Sequence, residues 1–293
     1  DNTNAQSTAS DSLTSFDTGG FTVGSSAGVN ENGQDYVGWA WKANGGTTSS
    51  NTDGTITSTV QTNTDAGFSI VKNTGNGVQG ATIGHGLGVA PELIILKDLS
   101  AGAESWLVGN SFIGWTEALY LDVTNASYAS NLYWANTAPT STVYSVGFTS
   151  GAYNVSGNDY IAYCFHSVDG FSKFGTYTGN GSANGPIVET GFEPAFLMVK
   201  NTTTAGEAWI MFDAARNTSN PRNCHLRANT SGAEACNNDK VNFYANGFQP
   251  LSNWDGYNAS GDTYLYMAFA ADPDTEAPTV AKSFSTVAYT GNG

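Results

Sequence analysis

Few residues in this 293-residue chain have the type and spacing that chemistry needs. Gly24-Ser25-Ser26-Ala27-Gly28 fits G-x-S-x-G, the elbow that presents a nucleophilic serine between a strand and a helix and needs a His and an acid beside it. Here it falls between Phe21-Thr22-Val23 and a strand at Tyr36, where a loop is expected, and no matching serine recurs along the chain. Three Thr-Gly-Asn-Gly segments, ending at Gly77, Gly181 and Gly293, have the glycine of a phosphate cradle. They lack the helix and lysine that such a cradle uses, so hairpin turns are the expectation. His85, His166 and His225 fall at unrelated positions, and Cys224, His225 and Cys236 offer at most three zinc ligands without paired spacing. Asp53-Gly54 and Asp272-Pro273-Asp274 are too sparse for a calcium loop. Glycoside cleavage needs two facing carboxylates, and acids such as Asp159 and Asp262 form no pair that recurs. The expectation is a protein with no catalytic residues, no cofactor and no metal, and so not an enzyme.

Recognition by aromatic side chains is the chemistry that remains. Trp39, Trp41, Trp106 and Trp209 sit within apolar strand patterns, where core packing is expected. Trp115, Trp134 and Trp254 lie in polar, variable segments. An exposed indole beside Asn and Asp is suited to stacking on a sugar ring while amides meet its hydroxyls. These three are the candidate glycan or receptor contacts.

The elements that would position them read as strands. The composition joins 35 glycines to 15 Phe, 14 Tyr and 7 Trp, too aromatic for disorder and rich in the residues that favour β-structure. Ten basic residues against 25 acidic ones give a net charge of −15 with no cationic run, which argues against nucleic acid, since that affinity comes from neutralising phosphates, and against anionic membranes. No transmembrane run is present, and Asp1 to Ser10 have no signal-peptide pattern. Three cysteines, Cys164, Cys224 and Cys236, argue by their odd number against a disulfide framework; a Cys224–Cys236 bond is the less favoured alternative.

The chain also repeats itself. A strand led by Tyr reads DYVGWAWKANGG from Asp35, DYIAYCFHSVDG from Asp159 and TYLYMAFAADPD from Thr263. Each follows a Gly-Phe strand and a polar turn, which reads as a hairpin. An opening strand reads GFSIVKNTGNG from Gly67, GFSKFGTYTGNG from Gly170 and SFSTVAYTGNG from Ser283. A strand after proline reads PELIILK from Pro91 and PAFLMVK from Pro194, each followed at the same distance by Trp106 or Trp209. Because side chains alternate along a strand, each Tyr strand has a bulky face (Ile161, Tyr163, Phe165) suited to a core and a small face (Ala162, Cys164) suited to close approach. The post-proline runs are apolar without alternation, as in strands buried on both sides.

The resulting organisation is an arm at 1–16, the end of a unit at 17–46, a Thr/Ser/Asn-rich linker at 47–66, full units at 67–168 and 170–271, a linker at 272–282, and the first strand of a further unit at 283–293. The expected fold is all-β: tandem antiparallel β-sandwich repeats in jelly-roll-like order, each burying enough apolar surface to fold alone.

In combination, DYVGWAWKANGG, GFSIVKNTGNG, GHGLGVAPELIILK, YIAYCFHSVDGFSKFGTYTGNG and ETGFEPAFLMVK resemble repeated fibre-type proteins of marine bacteriophages, over about residues 20 to 293. The resemblance implies a virion surface appendage, such as a tail or capsid fibre, assembled in the host cytoplasm. Its expected partners are its own subunits in a homo-oligomer such as a trimer, other virion proteins, and a host-surface glycan. A capsid decoration protein and a secreted bacterial surface or filament protein are the alternatives. Because the chain opens with the end of a unit and closes with the first strand of another, it reads as an excerpt or processed piece of a longer polypeptide. Addition of the strand Phe284 to Tyr289 to a neighbouring chain is the other reading of those ends.

Overall fold

The computed structural model describes residues 3–148, 153–271 and 284–291. The described chain is all-β apart from two single helical turns. The first part contains β1 (Leu13–Asp17), β2 (Gly20–Val23), α1 (Ala27–Asn30) and the first Tyr strand, β3 (Asp35–Trp41). Next come β4 (Ser49–Asn51), β5 (Ser58–Asn63), the opening strand β6 (Phe68–Thr74), β7 (Ala81–Gly84), the post-proline strand β8 (Leu93–Asp98), β9 (Leu107–Asn110), β10 (Glu117–Tyr120), β11 (Tyr128–Ala129), α2 (Asn131–Trp134), β12 (Val143–Val146) and the Tyr strand β13 (Asp159–Phe165). The second copy contributes β14 (Ser172–Thr178), β15 (Val188–Glu189), β16 (Pro194–Asn201), β17 (Ile210–Asp213), β18 (Arg222–Arg227), β19 (Ala235–Tyr244), β20 (Gly247–Pro250) and β21 (Thr263–Ala270), and β22 (Phe284–Thr290) follows.

One eight-stranded sheet runs β11-β10-β9-β8-β13-β6-β5-β4, with β12 and β7 paired beside it; the other runs β14-β21-β16-β17-β18-β19-β20-β15. In both, the Tyr strand lies between the opening strand and the post-proline strand. Its pairing with the opening strand recurs in one register three times: Thr74 faces Asp159, Thr178 faces Thr263 and Thr290 faces Asp35. The third pair joins the two ends of the sequence. Strand β22 thus completes β3 within its own chain, where a neighbouring chain had been one expectation.

The repeated Gly-containing loops explain that register. Gly75 donates to the Asn158 carbonyl and Gly157 to the Gly75 carbonyl; Gly179 with Asp262, and Gly291 with Gln34, repeat the exchange. A Cβ on Gly75, Gly179 or Gly291 would meet a carbonyl oxygen at 2.3, 2.1 or 2.2 Å, so only glycine permits the approach. Each leading tyrosine then accepts a backbone N–H five residues upstream: Val155 to Tyr160 at 2.9 Å, Ala259 to Tyr264 at 2.7 Å and Glu31 to Tyr36 at 2.9 Å. The Thr-Gly-Asn-Gly segments at 74–77 and 178–181, and Thr290-Gly291, are therefore clamps between first and last strands and not hairpin turns. The Gly-Phe strands do not form hairpins with the Tyr strands either: β2 pairs with β1, and β20 with β19 and β15.

Residues 47–66 are not a linker. Strands β4 and β5 extend the first sheet, and Ile56, Ser58 and Val60 are buried. Their alternation with exposed Thr55, Thr57 and Thr59 is the signature of a half-buried strand, which the polar composition disguised. Residues 13–17 of the N-terminal stretch likewise form a strand. The linker expected at 272–282 lies outside the described residues.

The post-proline strands are buried at almost every position. Leu93 and Ile95 of β8, and Phe196 and Met198 of β16, project into one apolar cluster that also takes the bulky faces of β13 and β21, with Trp39, Trp41 and Phe284. Their alternate residues enter two separate clusters, Ile94 and Leu96 in one and Leu197 and Val199 in the other. The bulky faces thus fill a core that both copies share, which departs from the expectation that each copy folds on its own apolar interior.

Candidate functional site: a lysine clasp between copies

The residue that ends each post-proline run is a lysine, and both lysines are buried. The apolar runs Leu93–Leu96 and Phe196–Val199 carry the side chain into the sheet, and among the described residues its ammonium donates to carbonyl oxygens. Lys200 Nζ donates to the Glu207 carbonyl at 2.6 Å and to that of Thr124 at 3.2 Å. Lys97 Nζ donates to the Glu104 carbonyl at 2.9 Å and to that of Thr3 at 3.3 Å. One acceptor in each case is local. The other arrives from a distant segment.

Those distant segments match in sequence, Asp122-Val123-Thr124-Asn125-Ala126 and Asp1-Asn2-Thr3-Asn4-Ala5. They also dock alike. Ser127 N–H donates to the Thr202 carbonyl at 3.0 Å, and Gln6 N–H donates to that of Leu99 at 2.8 Å. The first copy therefore extends an arm onto the second, and the N-terminal residues occupy the same place on the first. Asp122 roots the arm by accepting from the Trp106 N–H at 2.7 Å, as Asn229 does from Trp209 at 2.9 Å. The Trp209 indole N–H donates to the Tyr120 carbonyl at 2.7 Å, a further bond between copies.

Burial lowers the pKa of both ammoniums, that of Lys200 to about 8, against the opposing pull of Glu207. Lys97 is lowered by burial, with Asp98, Asp122 and Glu104 opposing. The Glu104 and Glu207 carboxyls are raised, chiefly by burial. A buried ammonium held by carbonyl dipoles resists removal of any acceptor, because an unsatisfied buried charge is costly. The arrangement holds polypeptide in place, since each lysine joins two separate stretches of backbone.

The three candidate tryptophans do not form one surface. Trp115 and Trp134 are 7% and 0% exposed and pack edge to face at 5.4 Å inside the first copy's own core, so neither stacks on a sugar. The polar residues around them in sequence belong to loops that fold over them. Trp254 is half-buried, with the Arg227 guanidinium 5.5 Å from its ring centroid, His225 at 5.7 Å and Tyr257 edge-on at 5.5 Å. A half-buried phenol cluster went unrecognised in the sequence: Tyr120 donates to Tyr133 at 3.0 Å and accepts from Tyr128, and burial pushes the Tyr120 hydroxyl up to about 12.

Cys224 and Cys236 form a disulfide across facing residues of β18 and β19, the outcome the odd cysteine number had disfavoured. Cys164 is the free, buried one. Glu234 lies close to the paired cysteines, but the bond consumes both sulfurs, and His225 is turned into the aromatic cluster with Phe212 and Trp254. The Gly24–Gly28 segment does run from β2 into a helix, but α1 is a single turn. His85 is bound elsewhere, to the Thr140 carbonyl and the Leu87 N–H, and His166 to the Ala90 carbonyl.

The fold and its clasp define an all-β protein whose two large sheets meet in one apolar core and in which the segment after β10 reaches across to Lys200. The family described as a domain of unknown function (DUF7483) matches residues 1–273, and the chain belongs to it. No curated protein and no solved structure matches the chain. Among the described residues, no helix is long and apolar enough to cross a membrane.

Proposed function

We propose that this chain is a mechanical module, a spacer with an adhesive surface, in a bacteriophage fibre or other virion appendage, built of tandem antiparallel β-sandwich units in jelly-roll-like order. The observation that carries the reading is the clasp: an arm from one copy lies on the buried lysine of the next, at Lys97 and again at Lys200. Interlocked copies transmit force and keep a fixed spacing, which is what a fibre needs. The recurring register of first and last strands supports the sandwich unit, and the −15 net charge supports solubility when many copies are crowded together. In this reading the partners are further copies of the chain, other virion proteins, and a host-surface glycan met at Trp254. Labelling the protein on purified particles tests it: gold label along an appendage is expected, and particles that never contain the protein would end the proposal. Glycan titration against Trp254→Ala tests the adhesive part; unchanged binding removes Trp254.

The Cys224–Cys236 disulfide favours one second reading, a secreted bacterial surface or filament protein, because such bonds persist in oxidising surroundings. Recovery of the chain from the medium of cells that make no particles would select it.

A further inference from the structure

Strands β18 and β19 bring together a set of donor atoms different from Cys224, His225 and Cys236. The two cysteines face each other across the strands, while His225 faces Ala235 in the next pair and its ring lies in the aromatic cluster with Phe212 and Trp254. Glu234 takes the place of His225: its carboxylate and the two sulfurs all lie within 4.8 Å of one another. The two carboxylate oxygens are used differently. Oε1 is held by the Arg216 guanidinium, which Asp213 fixes in turn, and Oε2 lies 3.7 Å from the Cys236 Sγ. On the other side, the Asn217 amide donates to the Cys224 Sγ at 3.5 Å, and Asn223 Oδ1 lies 3.7 Å from the same sulfur. An oriented carboxylate, a nearby cation and an N–H aimed at sulfur are surroundings that favour thiolate and fix a metal's ligands. Glu234 and Cys236 are exposed and Cys224 is half-buried, so an ion can enter from solvent.

We propose that Cys224, Glu234 and Cys236 are a redox-gated site for a zinc ion, closed by the disulfide and opened by its reduction. A thiol reductant supplies two electrons and two protons: the S–S bond breaks, two cysteine thiols form, and the reductant is left as a disulfide. The zinc ion then takes both sulfurs as thiolates, releasing the two protons to water, and takes Glu234 Oε2 as its third ligand. Asn223 Oδ1 is placed to complete a tetrahedron with zinc–sulfur bonds of ~2.3 Å. Two thiolates select such a cation over magnesium or calcium. Backbone pairs on either side, Arg222 with Val241 and His225 with Ala235, keep the sulfurs facing each other when the bond is open. The ion thus replaces the bond as the link between β18 and β19.

The test titrates zinc chloride into the intact chain, either oxidised or reduced with a phosphine, against a chromophoric chelator. The reduced chain is expected to take up one zinc ion and to recover most of the melting temperature lost on reduction; the oxidised chain is expected to take up none. Cobalt chloride in place of zinc should give the charge-transfer absorption of cobalt–thiolate bonds in the reduced chain alone. Cys236→Ser is expected to abolish uptake, and Glu234→Gln, which keeps the shape of the side chain, to weaken it by roughly tenfold or more. Equal uptake by the oxidised chain, no uptake by the reduced chain, or uptake unchanged by either substitution would overturn the proposal. So would uptake that is lost in Cys164→Ala and kept in Cys236→Ser, since it would move the ion to the free cysteine of the first copy.

Discussion

In the first copy, Asp98 accepts a hydrogen bond from the Asn158 amide at 2.9 Å; in the second, Asn201 donates one to the Asp262 carboxylate at 2.8 Å. The positions correspond and the chemistry is reversed. In each copy the Oδ1 of the first residue also caps two backbone N–H groups of the following turn, Ser100 and Ala101 or Thr203 and Thr204. The fold requires one donor and one acceptor across this gap, but it does not require either position to hold the charge. Asn110 and Asp213 form a second such pair: both cap the next turn, and the acid adds an ion pair to Arg216. The copies therefore share geometry and differ in charge, and the surfaces they carry have diverged. One has a buried tryptophan pair and a phenol cluster; the other has a disulfide and an Arg227–Trp254 stack.

The largest expected effect breaks what the copies hold in common. Phe196→Ala empties a site that touches Trp39, Trp41, Phe269 and Phe284, and a loss of about 3–5 kcal/mol is expected. Because the cluster spans both copies, calorimetry should show one transition moving as a whole. Two separate transitions, with only the second displaced, would show the copies to be independent. A smaller effect tests the reversal. Asn158→Asp sets two carboxylates together and is expected to cost about 2 kcal/mol in urea unfolding, whereas adding Asp98→Asn recreates the second copy's pairing and restores most of it. If the double variant is no better than the single, the correspondence is accidental.

Reduction acts on the second copy alone. Opening the Cys224–Cys236 bond should lower stability by about 2 kcal/mol, read as a lower melting temperature in reductant, and a Cys224→Ser, Cys236→Ser variant should be insensitive. The smallest effect is a slope. Lys200 loses its proton at about 8 when folded and at an ordinary lysine value when unfolded. The unfolded chain thus binds more protons between those values, and stability rises with pH there, by an order of 1 kcal/mol from pH 8 to 9.5. Lys200→Met should flatten this rise in thermal scans; an unchanged slope would assign it to other groups. Above pH 10 the trend reverses, because buried hydroxyls such as Tyr177 and Tyr266 are raised, chiefly by burial, and oppose ionisation in the folded state.

The all-β class was legible because it depends on local pattern. The bulky alternation of Ile161, Tyr163 and Phe165 and the unbroken run Leu93–Leu96 each dictate a strand and its faces. Legibility failed wherever partner choice mattered. Thr-Gly-Asn-Gly resembles a hairpin turn, yet Gly75 and Gly179 are needed for approach to loops far along the chain. Trp115 and Trp134 sit among polar residues, and only folding shows that those residues lie over them. The two lysines were visible at matching positions, and the likeness of Asp1–Ala5 to Asp122–Ala126 was a signal that would have found the arms.

By itself, the sequence determined that the fold is all-β, which face of each Tyr strand is bulky and apolar, and that the pattern occurs more than once, since side-chain alternation acts over a few residues. Only the tertiary structure decided that opening strands pair with closing ones, that β22 returns to β3, and that the bulky faces meet in one core. Those outcomes depend on which apolar faces and which buried charges find each other across long loops, and no short stretch of chain encodes that choice.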